Sequence, residues 1–417
     1  MEAFKTRWIE ARLGAALSAV PVVVITGARQ TGKSTLARSA EQLRGRPYYT
    51  LDRLDILDLA KRAPEELLRS LPLTIDEIQR APGMLLAVKL RVDEARQRGE
   101  AINGAIALTG SANLALMEGV SESLAGRASY LHLAPFCPGE WLESSEALSA
   151  LDSLFAAKFD AASWRPGATD WEGWAVRGGY PDALAQGNPA ARDEWFSGYV
   201  DTYLERDLRQ LANIAHLPDF KRLMRLLAGR SARLLNQADL ARDVQIPGAT
   251  AHRYLNLLET GHLITRLPNY RASVTSSLNK ARKVLWGDVG LALWLAGVDA
   301  STVRTRPDSG FWLEQLVYQT LQAWAVQAPR RTVSFWRDGA AEVDFVLEQN
   351  GHLVAMEIKS SPTVTQDDLR GLRTFQASFA NAHKEVPLAV VIHPGACALS
   401  HGGNVWSLPL HLFAPAG

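Results

Sequence analysis

Short apolar runs alternate with longer helical patterns over the first third of the chain. The runs are Val22–Thr26, Leu73–Asp76, Ile106–Thr109 and Tyr130–Leu133. Each has the length of a buried strand, and the segments between them carry apolar residues at helical spacing. This alternation predicts a parallel β-sheet with crossover helices over residues 1–135.

The pattern changes after residue 135. Strand signals fade over residues 136–235, where helical patterns predominate. Residues 236–270 have the pattern of two short helices followed by a strand, and residues 284–417 mix helices and strands again. We therefore predict an α/β fold with four parts: an N-terminal parallel sheet, a helical middle, a winged-helix-like segment and a C-terminal α/β domain.

A glycine-rich segment joins the first apolar run to a helical pattern that opens at Leu36. Its residues Gly27-Ala28-Arg29-Gln30-Thr31-Gly32-Lys33-Ser34, followed by Thr35, match the spacing G-x-x-x-x-G-K-[ST]. Such glycines let backbone N–H groups surround phosphate oxygens, and the following helix adds its dipole. Lys33 is expected to reach the β- and γ-phosphates and the Ser34 hydroxyl to bind Mg²⁺. A chance glycine-rich turn is the alternative.

Two acidic residues stand at the end of the run Leu73–Asp76. Asp76 is expected to hold Mg²⁺ through water, and Glu77 to polarise the attacking water as a general base. The alternative is an acidic cap on the next helix. A phosphate-binding loop upstream favours the catalytic interpretation.

The run Ile106–Thr109 leads into a polar segment. This arrangement resembles the AAA+ class of ATPases, in which a polar residue at this place contacts the γ-phosphate or the attacking water. Thr109, Ser111 and Asn113 are all candidates, and the sequence does not choose among them. An ordinary Ser/Asn turn is the alternative.

Longer motifs extend this resemblance over nearly the whole chain. The sequence resembles a group of prokaryotic ATPases that pair an AAA+ domain with a C-terminal domain of unknown function. The shared motifs are GARQTGKST, LTIDEIQ, LTGSANL, SLAGRASYLHLAPF, GGYPDAL (178–184) and YLERDL (203–208). The resemblance implies ATP as substrate, and makes Arg127 a candidate for sensing the nucleotide in its own or a neighbouring subunit. The alternative is a surface or carboxylate-paired arginine. In YLERDL, a polar helix face is expected for Glu205, Arg206 and Asp207.

Residues 236–270 have the layout of a helix-turn-helix with a wing. The expected helices are Gln237–Arg242 and Thr250–Thr260, and the expected strand ends at Leu267. In a DNA-binding protein, polar residues of the second helix and basic residues on both sides would contact phosphates. These residues are His252, Arg253, Asn256, Lys221, Arg222, Arg225, Arg230, Arg233, Lys280, Arg282 and Lys283. The alternative is a winged helix that only packs or oligomerises.

Asn350-Gly351 is a strong hairpin signal and predicts a two-residue type I′ turn. Paired residue numbers then sum to 701, which places Asp344 opposite Glu357 and Glu342 opposite Lys359. The other face of the hairpin is apolar and is expected to pack on a core. The polar face therefore brings two carboxylates and a lysine together.

This polar face resembles the catalytic core of the PD-(D/E)xK nucleases, which have a restriction-endonuclease-like fold. By that resemblance Asp344 and Glu357 bind Mg²⁺, Lys359 orients or activates the hydroxide that attacks a phosphodiester, and Glu314 is a further metal ligand. The proline of the superfamily's name is absent before Asp344. The alternatives are a nuclease-like fold that binds without cleaving, and a purely structural hairpin.

Composition narrows the class of protein. The 417 residues carry 45 Lys and Arg against 44 Asp and Glu, a net charge of +1, which excludes a generally basic coat protein but not a local cationic track. Cys137 and Cys397 are too far apart for a disulfide framework or a CxxC metal site. No apolar run approaches the roughly 18–20 residues of a membrane span, and the N-terminus has no signal-peptide pattern, so we expect a cytoplasmic protein.

These patterns together predict a Mg²⁺-dependent ATPase whose nucleotide state controls a nucleic-acid-binding C-terminal domain that could also cleave phosphodiesters. The expected partners are ATP, Mg²⁺ and nucleic acid, with further copies of the chain or another protein as additional partners. The rival hypothesis is an ATP-driven signalling or scaffold switch that acts on a protein partner through an inactive nuclease-like fold.

Overall fold

The computed structural model describes residues 4–110, 124–156, 158–202, 216–270, 281–379 and 386–416. The chain forms two compact units, the first made of residues 1–135 and 260–263 and the second of the remainder. In the described ranges, no helix combines the length and apolarity that crossing a bilayer requires.

The first unit is built on a five-stranded parallel sheet in the order β2-β3-β4-β1-β5. Because parallel strands end at one edge, the residues that follow β1, β3 and β4 come together there. The apolar runs predicted β1, β3 and β4 with their observed bounds, placed β5 two residues late, and missed the short edge strand β2. The strands are β1 (Val22–Thr26), β2 (Tyr48–Thr50), β3 (Leu73–Asp76), β4 (Ile106–Thr109) and β5 (Ala128–His132).

Helices cover this sheet and bury its apolar side chains. Strand residues such as Ile75 and Leu108 pack with Val88 and Val92 in one core. The helix after the glycine-rich loop begins at Lys33, earlier than the expected opening at Leu36. The helices are α1 (Glu10–Ala19), α2 (Lys33–Ser39), α3 (Leu54–Arg62), α4 (Pro64–Leu67) and α5 (Met84–Gln97).

The second unit begins with helices, as its faded strand pattern predicted. They are α6 (Pro138–Trp141), α7 (Glu146–Ser153), α8 (Trp171–Arg177), α9 (Pro181–Leu184), α10 (Pro189–Thr202) and α11 (Leu217–Ala228). Four buried tryptophan and tyrosine rings contribute to the packing of this region: Trp164, Trp171, Trp174 and Tyr180.

A small antiparallel sheet follows, with the strand order β6-β8-β7. Along the chain its elements alternate with helices: α11, β6 (Arg233–Leu234), α12 (Gln237–Val244), α13 (Gly248–Thr260), β7 (Ile264–Leu267) and β8 (Lys283–Trp286). Asn236 caps α12 by accepting the N–H groups of Ala238 and Asp239. Helix α13 buries Tyr254 and Leu258 and exposes His252 and Arg253, the two faces that the sequence predicted.

A six-stranded mixed sheet, in the order β13-β14-β12-β11-β10-β9, forms the C-terminal part of the second unit. Strands β9, β10 and β11 form an antiparallel meander, and β11 pairs in parallel with β12. The elements are α14 (Val289–Ala296), α15 (Ser309–Ala325), β9 (Arg331–Asp338), β10 (Ala341–Gln349), β11 (His352–Ile358), α16 (Arg370–Phe379), β12 (Leu388–His393), β13 (Leu399–Ser400) and β14 (Val405–Pro409).

The hairpin between β10 and β11 has the predicted register. Phe345 pairs with Met356 and Gln349 with His352, so paired numbers sum to 701. Asn350 and Gly351 both have positive φ, 52° and 85°, as a type I′ turn requires. The predicted turn and register are confirmed over Phe345–Gln349, while the expected pairs Asp344–Glu357 and Glu342–Lys359 lie beyond the paired residues.

Candidate functional site

Lys33 lies inside the glycine-rich loop. Its ammonium donates to the carbonyl oxygens of Gly27 at 3.2 Å and Ala28 at 2.6 Å, and the side chain is buried. Gly27 approaches Leu133 so closely that a Cβ would lie 2.3 Å from its carbonyl oxygen, and Gly32 has a φ of 93°. Larger side chains would not fit this loop without a backbone shift.

Asp76 connects the loop to strand β3. Its Oδ1 accepts the Ser34 hydroxyl at 3.0 Å and also the Thr109 hydroxyl. Its Oδ2 accepts the Tyr48 hydroxyl at 2.6 Å. Three neutral hydroxyl groups therefore donate to this one buried carboxylate. The oxygens of Ser34 and Asp76 are hard ligands of the kind that Mg²⁺ prefers.

Glu77 follows Asp76 in a left-handed conformation, with a φ of 59°. Its backbone N–H donates to the Thr109 hydroxyl at 3.3 Å, and its Oε2 accepts the side-chain amide of Gln79. A non-glycine residue in this region of φ costs about 1–3 kcal/mol and is found mainly where surrounding contacts require it. Here those contacts orient a carboxylate next to Asp76.

Thr109 was one of three candidates for contacting the γ-phosphate or the attacking water. The structure places it in hydrogen-bond contact with both Asp76 and Glu77. It is the last residue of β4, which lies between β1 and β3 in the sheet. Ser111 and Asn113 lie outside the described residues, as do Glu205, Arg206 and Asp207.

Sequence reasoning missed two residues of this site. Tyr48 reaches Asp76 from the edge strand β2, and burial together with Asp76 raises the pKa of its phenol, so the hydroxyl stays a donor. Arg7 donates to the carbonyl oxygens of Thr31 at 3.1 Å and Ala134 at 2.7 Å. The available signal in the sequence was the run Tyr48-Tyr49-Thr50, whose residue types favour a β-strand.

Arg127, the candidate for sensing the nucleotide, lies away from the glycine-rich loop of its own chain. The Arg127 carbonyl accepts the N–H of Val22, at the start of β1, while the loop follows the end of β1 about 13 Å further along the strand. Its guanidinium forms a bidentate pair with Asp93 at 2.7 and 2.8 Å. A role of Arg127 toward a neighbouring subunit stays a prediction.

A second group of charged side chains gathers in the C-terminal part. Lys283, on β8, is 1% exposed, and its ammonium lies 2.8 Å from Glu314, 3.3 Å from Glu342 and 3.3 Å from Asp344. Burial alone would lower the pKa of Lys283, but the three carboxylates raise it, so the ammonium stays charged. We call these four residues the Lys283 cluster.

Glu357 and Lys359 form an ion pair next to this cluster, with Nζ 2.9 Å from Oε1. Burial, and then the charge of Asp344, raises the pKa of Glu357 to about 8. Its other oxygen, Oε2, is buried and has no hydrogen-bond partner among the described residues.

The structure thus brings the predicted residues together but does not fit the predicted metal. Asp344 uses Oδ1 for Lys283 and Oδ2 for the N–H of Ile358 at 2.9 Å, and Glu314 binds Lys283. A Mg²⁺ ion needs six oxygens in near-octahedral geometry. Within the described ranges no three acidic, histidine or cysteine side chains could hold a metal ion. The expected Mg²⁺ site of Glu314, Asp344 and Glu357 does not agree with this arrangement, in which the Lys283 ammonium lies among the carboxylates.

The expected basic track is also changed by folding. Lys283 is buried among carboxylates and cannot contact a phosphate backbone. Three of the basic residues form ion pairs: Lys221 with Asp201, Arg222 with Asp219, and Arg230 with Asp243. Apart from the paired Arg222, the exposed arginines of this set are Arg225, Arg233 and Arg253, and Lys280 lies outside the described residues.

The motif GGYPDAL has a structural explanation. The N–H of Gly179 donates to Asp288 Oδ2 at 2.5 Å, and the Leu291 N–H donates to Oδ1 at 2.7 Å. A Cβ on Gly179 would lie 2.0 Å from the Phe136 carbonyl oxygen. Gly178 has a φ of 67°. These glycines allow the backbone to approach Asp288, which caps helix α14.

Three family descriptions match the chain in succession. An AAA domain matches residues 19–142, a domain of unknown function (DUF8612) matches residues 168–302, and another (DUF4143) matches residues 309–413. The parallel sheet, the glycine-rich loop and the Ser34–Asp76 contact all lie within the first match. The N-terminal sheet is thus that of a P-loop ATPase.

Curated relatives and solved structures were also found. The uncharacterized proteins Rv2008c of Mycobacterium tuberculosis and Mb2031c of Mycobacterium bovis are each 30% identical over 363 residues, 85% of this chain and 74% of theirs. The Walker-type ATPase PABY2304 of Pyrococcus abyssi is 17% identical with a TM-score of 0.43, covering 70% of this chain and 96% of its own. The branch migration motor RuvB of Thermotoga maritima is 18% identical with a TM-score of 0.27, covering 62% and 88%.

These TM-scores are below 0.5 and do not define the fold of the whole chain. The sequence similarity to the two mycobacterial proteins covers most of this chain and most of theirs. The chain belongs to the family of these two mycobacterial proteins, and its N-terminal part is an AAA+-like ATPase domain of the prokaryotic type.

Proposed function

We propose that this protein is a Mg²⁺-dependent ATP hydrolase whose nucleotide state controls a nucleic-acid-binding C-terminal half. The observation that carries the first part is the 3.0 Å hydrogen bond between the loop residue Ser34 and Asp76. It joins the phosphate-binding loop to the acidic strand at one point, with Glu77 adjacent. ATP hydrolysis needs these groups together.

Lys33 and the loop would hold the phosphates of ATP. The ammonium now donates to two backbone carbonyl oxygens, and phosphate oxygens carry far more negative charge than carbonyl oxygens do. Ser34 and Asp76 would hold Mg²⁺, which neutralises charge on the phosphates. Tyr48 and Thr109 fix the orientation of the Asp76 carboxylate by donating to its two oxygens.

Glu77 would accept a proton from the attacking water. Its carboxylate is oriented by Gln79 and its backbone by Thr109, so the base is held by residues of two neighbouring strand ends. Thr109 contacts both Asp76 and Glu77, which suits a residue that transmits the presence of the γ-phosphate.

The small three-stranded sheet supports the nucleic-acid part of the proposal. Its order along the chain, helix–strand–helix–helix–strand–strand, is the arrangement expected of a winged helix. Helix α13 exposes His252 and Arg253, and Arg225 and Arg233 are exposed nearby in the sequence. These arginines would contact phosphates, a contact that does not depend on base sequence.

A protein-directed switch is the second candidate function. The observation that favours it is the pairing of Lys221, Arg222 and Arg230 with acidic residues, which leaves this surface less basic than its sequence suggests. The same ATPase site would then drive a conformational change read by another protein.

A Glu77→Gln variant tests the hydrolysis proposal. ATP turnover should fall about 100-fold or more while ATP binding persists, because the substitution removes the base and leaves Lys33, Ser34 and Asp76 in place. Glu65→Gln, at an exposed position in α4, is the control. Full turnover by Glu77→Gln would refute the role of Glu77.

Fluorescence anisotropy with labelled single- and double-stranded DNA and RNA tests the second part. Glu77→Gln with ATP should bind with an affinity different from that of the ADP-bound wild type. Arg253→Ala should weaken binding and reduce the slope of log affinity against log salt by about 1. Arg304→Ala, another exposed arginine of the same unit, is the control. If none of these nucleic acids binds, the protein-directed switch is the better proposal.

A further inference from the structure

We infer that Lys283 is the resident cation of the C-terminal carboxylate site, and that this site works without a divalent metal ion. The domain would therefore bind a phosphodiester ligand without cutting it. The inference about Lys283 stands on the geometry of the second unit alone. The kind of ligand rests on the proposed function.

The backbone holds Lys283 in place. It lies on β8, the central strand of the small sheet, where it pairs with Leu234 on one side and Leu267 on the other. A residue in a central strand is fixed by hydrogen bonds on both sides. The backbone of Lys283 is therefore fixed in position. Its side chain reaches the carboxylates of Glu314, Glu342 and Asp344, and the residue is 1% exposed.

The donors and acceptors of the Lys283 cluster match in number. An ammonium has three N–H donors. Three carboxylates lie within 3.3 Å of it: Glu314 from helix α15, and Glu342 and Asp344 from strand β10. The ammonium donates hydrogen bonds to Glu314 and Asp344 and lies in ion-pair distance of Glu342, so it occupies the position between these carboxylates.

Three of the four neighbouring carboxylate oxygens are engaged as well, and the fourth, Glu357 Oε2, is buried without a partner among the described residues. Asp344 accepts from Lys283 with one oxygen and from the Ile358 N–H with the other. Glu357 accepts from Lys359. A divalent ion between Asp344 and Glu357 would lie beside two ammonium groups, and like charges at such distances repel by several kcal/mol where water is excluded. It would have to displace at least one of them.

The rim of the site differs from its interior. Lys359 and Arg337 have side chains that are 31% and 44% exposed, and each pairs with a carboxylate of the site, Glu357 and Glu342. Cations at an accessible rim above a closed interior suit contacts to phosphate groups of a bound strand. They do not require a metal ion below them.

Manganese binding tests the inference on the full-length chain without nucleotide. Electron paramagnetic resonance of free Mn²⁺ would be measured for the wild type and for Asp344→Asn, which keeps an oxygen to accept the Ile358 N–H. We expect the two proteins to bind the same amount of Mn²⁺. Asp368→Asn, at a carboxylate that lies 3.6 Å from Lys359, is the control. One additional equivalent in the wild type, lost in Asp344→Asn, would overturn the inference.

Lys283→Met supplies the reciprocal measurement. With the ammonium removed, the carboxylates of the cluster should gain one equivalent of Mn²⁺, and Lys283→Met combined with Asp344→Asn should lose it again. A folded Lys283→Met that gains no ion would contradict the claim that the ammonium fills the site. Should Lys283→Met fail to fold, the comparison of wild type with Asp344→Asn still decides.

Cleavage assays separate this inference from the proposed function. Labelled DNA and RNA incubated with the wild type and Mg²⁺ or Mn²⁺ should stay intact even where they bind. Metal-dependent cleavage that Asp344→Asn abolishes would overturn the inference and leave nucleic-acid binding standing. Absence of binding with no Asp344-dependent Mn²⁺ would refute the proposed ligand and leave the resident cation standing.

Discussion

Two buried lysines, Lys33 in the first unit and Lys283 in the second, are held in different ways. Lys33 donates to the backbone carbonyls of Gly27 and Ala28, while its neighbour Asp76 is held by neutral hydroxyls. Lys283 donates to the carboxylates of Glu314 and Asp344 and lies 3.3 Å from that of Glu342. In the second site the lysine and the carboxylates are in direct contact.

This difference decides which site can accept a new charged ligand. Carbonyl oxygens carry only partial charge, so a phosphate can replace them at Lys33 with a gain in electrostatic energy. Carboxylates at Lys283 already supply full charges around a buried ammonium, and separating them from it is costly. The first site is thus open to exchange of partners, and the second is closed.

Removing the Lys283 ammonium should have the largest effect on stability. Lys283→Met leaves three carboxylates without their cation, and breaking a buried pair in this way costs about 3–5 kcal/mol. The unfolding free energy would be measured in urea. Lys359→Met, at a half-exposed pair, is the control and should cost less. Equal losses in the two variants would contradict the description of Lys283 as the central cation.

A double variant sharpens the same comparison. Lys283→Met combined with Glu314→Gln removes a buried cation and a buried anion together, so it should recover part of the stability that Lys283→Met loses. An additive loss would mean that the 2.8 Å contact between these two residues is not the main one.

Lys33→Met should act on catalysis. Losing one electrostatic donor to the transferring phosphate lowers the rate by about 10²–10³-fold, or about 3–4 kcal/mol in activation free energy. The steady-state release of phosphate measures it, with Lys61→Met as the exposed control. Because the partners of Lys33 include neutral carbonyls, we expect a smaller loss of unfolding free energy than for Lys283→Met. A larger loss would break the comparison.

Asp288 extends the comparison to a carboxylate held by backbone N–H groups. Burial raises its pKa to about 6, above an unfolded value near 3.8. Its stabilising contribution is therefore full below pH 3.8 and is lost as the pH rises through 6, by about 2–3 kcal/mol. The difference in unfolding free energy between wild type and Asp288→Asn should shrink by this amount from pH 4 to 8. A difference that grows with pH would show that the sign is wrong.

Tyr48→Phe should have the smallest effect. It removes one hydroxyl donor from Asp76, and a hydrogen bond of this kind contributes about 1 kcal/mol. Both the unfolding free energy and ATP turnover should fall modestly, because Ser34 and Thr109 still hold the other oxygen. Tyr49→Phe, the next residue in the same strand, is the control. An equal effect of both substitutions would remove Tyr48 from the site.

Local patterns predicted much of this molecule. The apolar runs located β1, β3 and β4, and the Asn350-Gly351 pair predicted a register that the structure has. Each of these features is determined within a few residues of chain. The glycine spacing around Lys33 likewise depends on one loop.

The sequence did not reveal which acidic and basic side chains pair with each other. Lys283 is 31 residues from Glu314 and 61 from Asp344 along the chain, and their meeting depends on how β8 packs on α15 and β10. The same holds for Tyr48 and Asp76, and for Arg127, which lies just before β5 and pairs with Asp93 on helix α5. A lysine at the head of the apolar strand Lys-Val-Leu-Trp was the available sign that its charge is buried.

The location of Lys283 bears on how this family could be divided or recombined. The domain matched over residues 309–413 contains Glu314, Glu342 and Asp344, but their cation belongs to the domain matched before it. A gene fusion that carried only residues 309–413 to another ATPase would import three acids and leave their counter-charge behind. We expect the two domains of unknown function to be inherited, expressed and exchanged as one piece that includes β8.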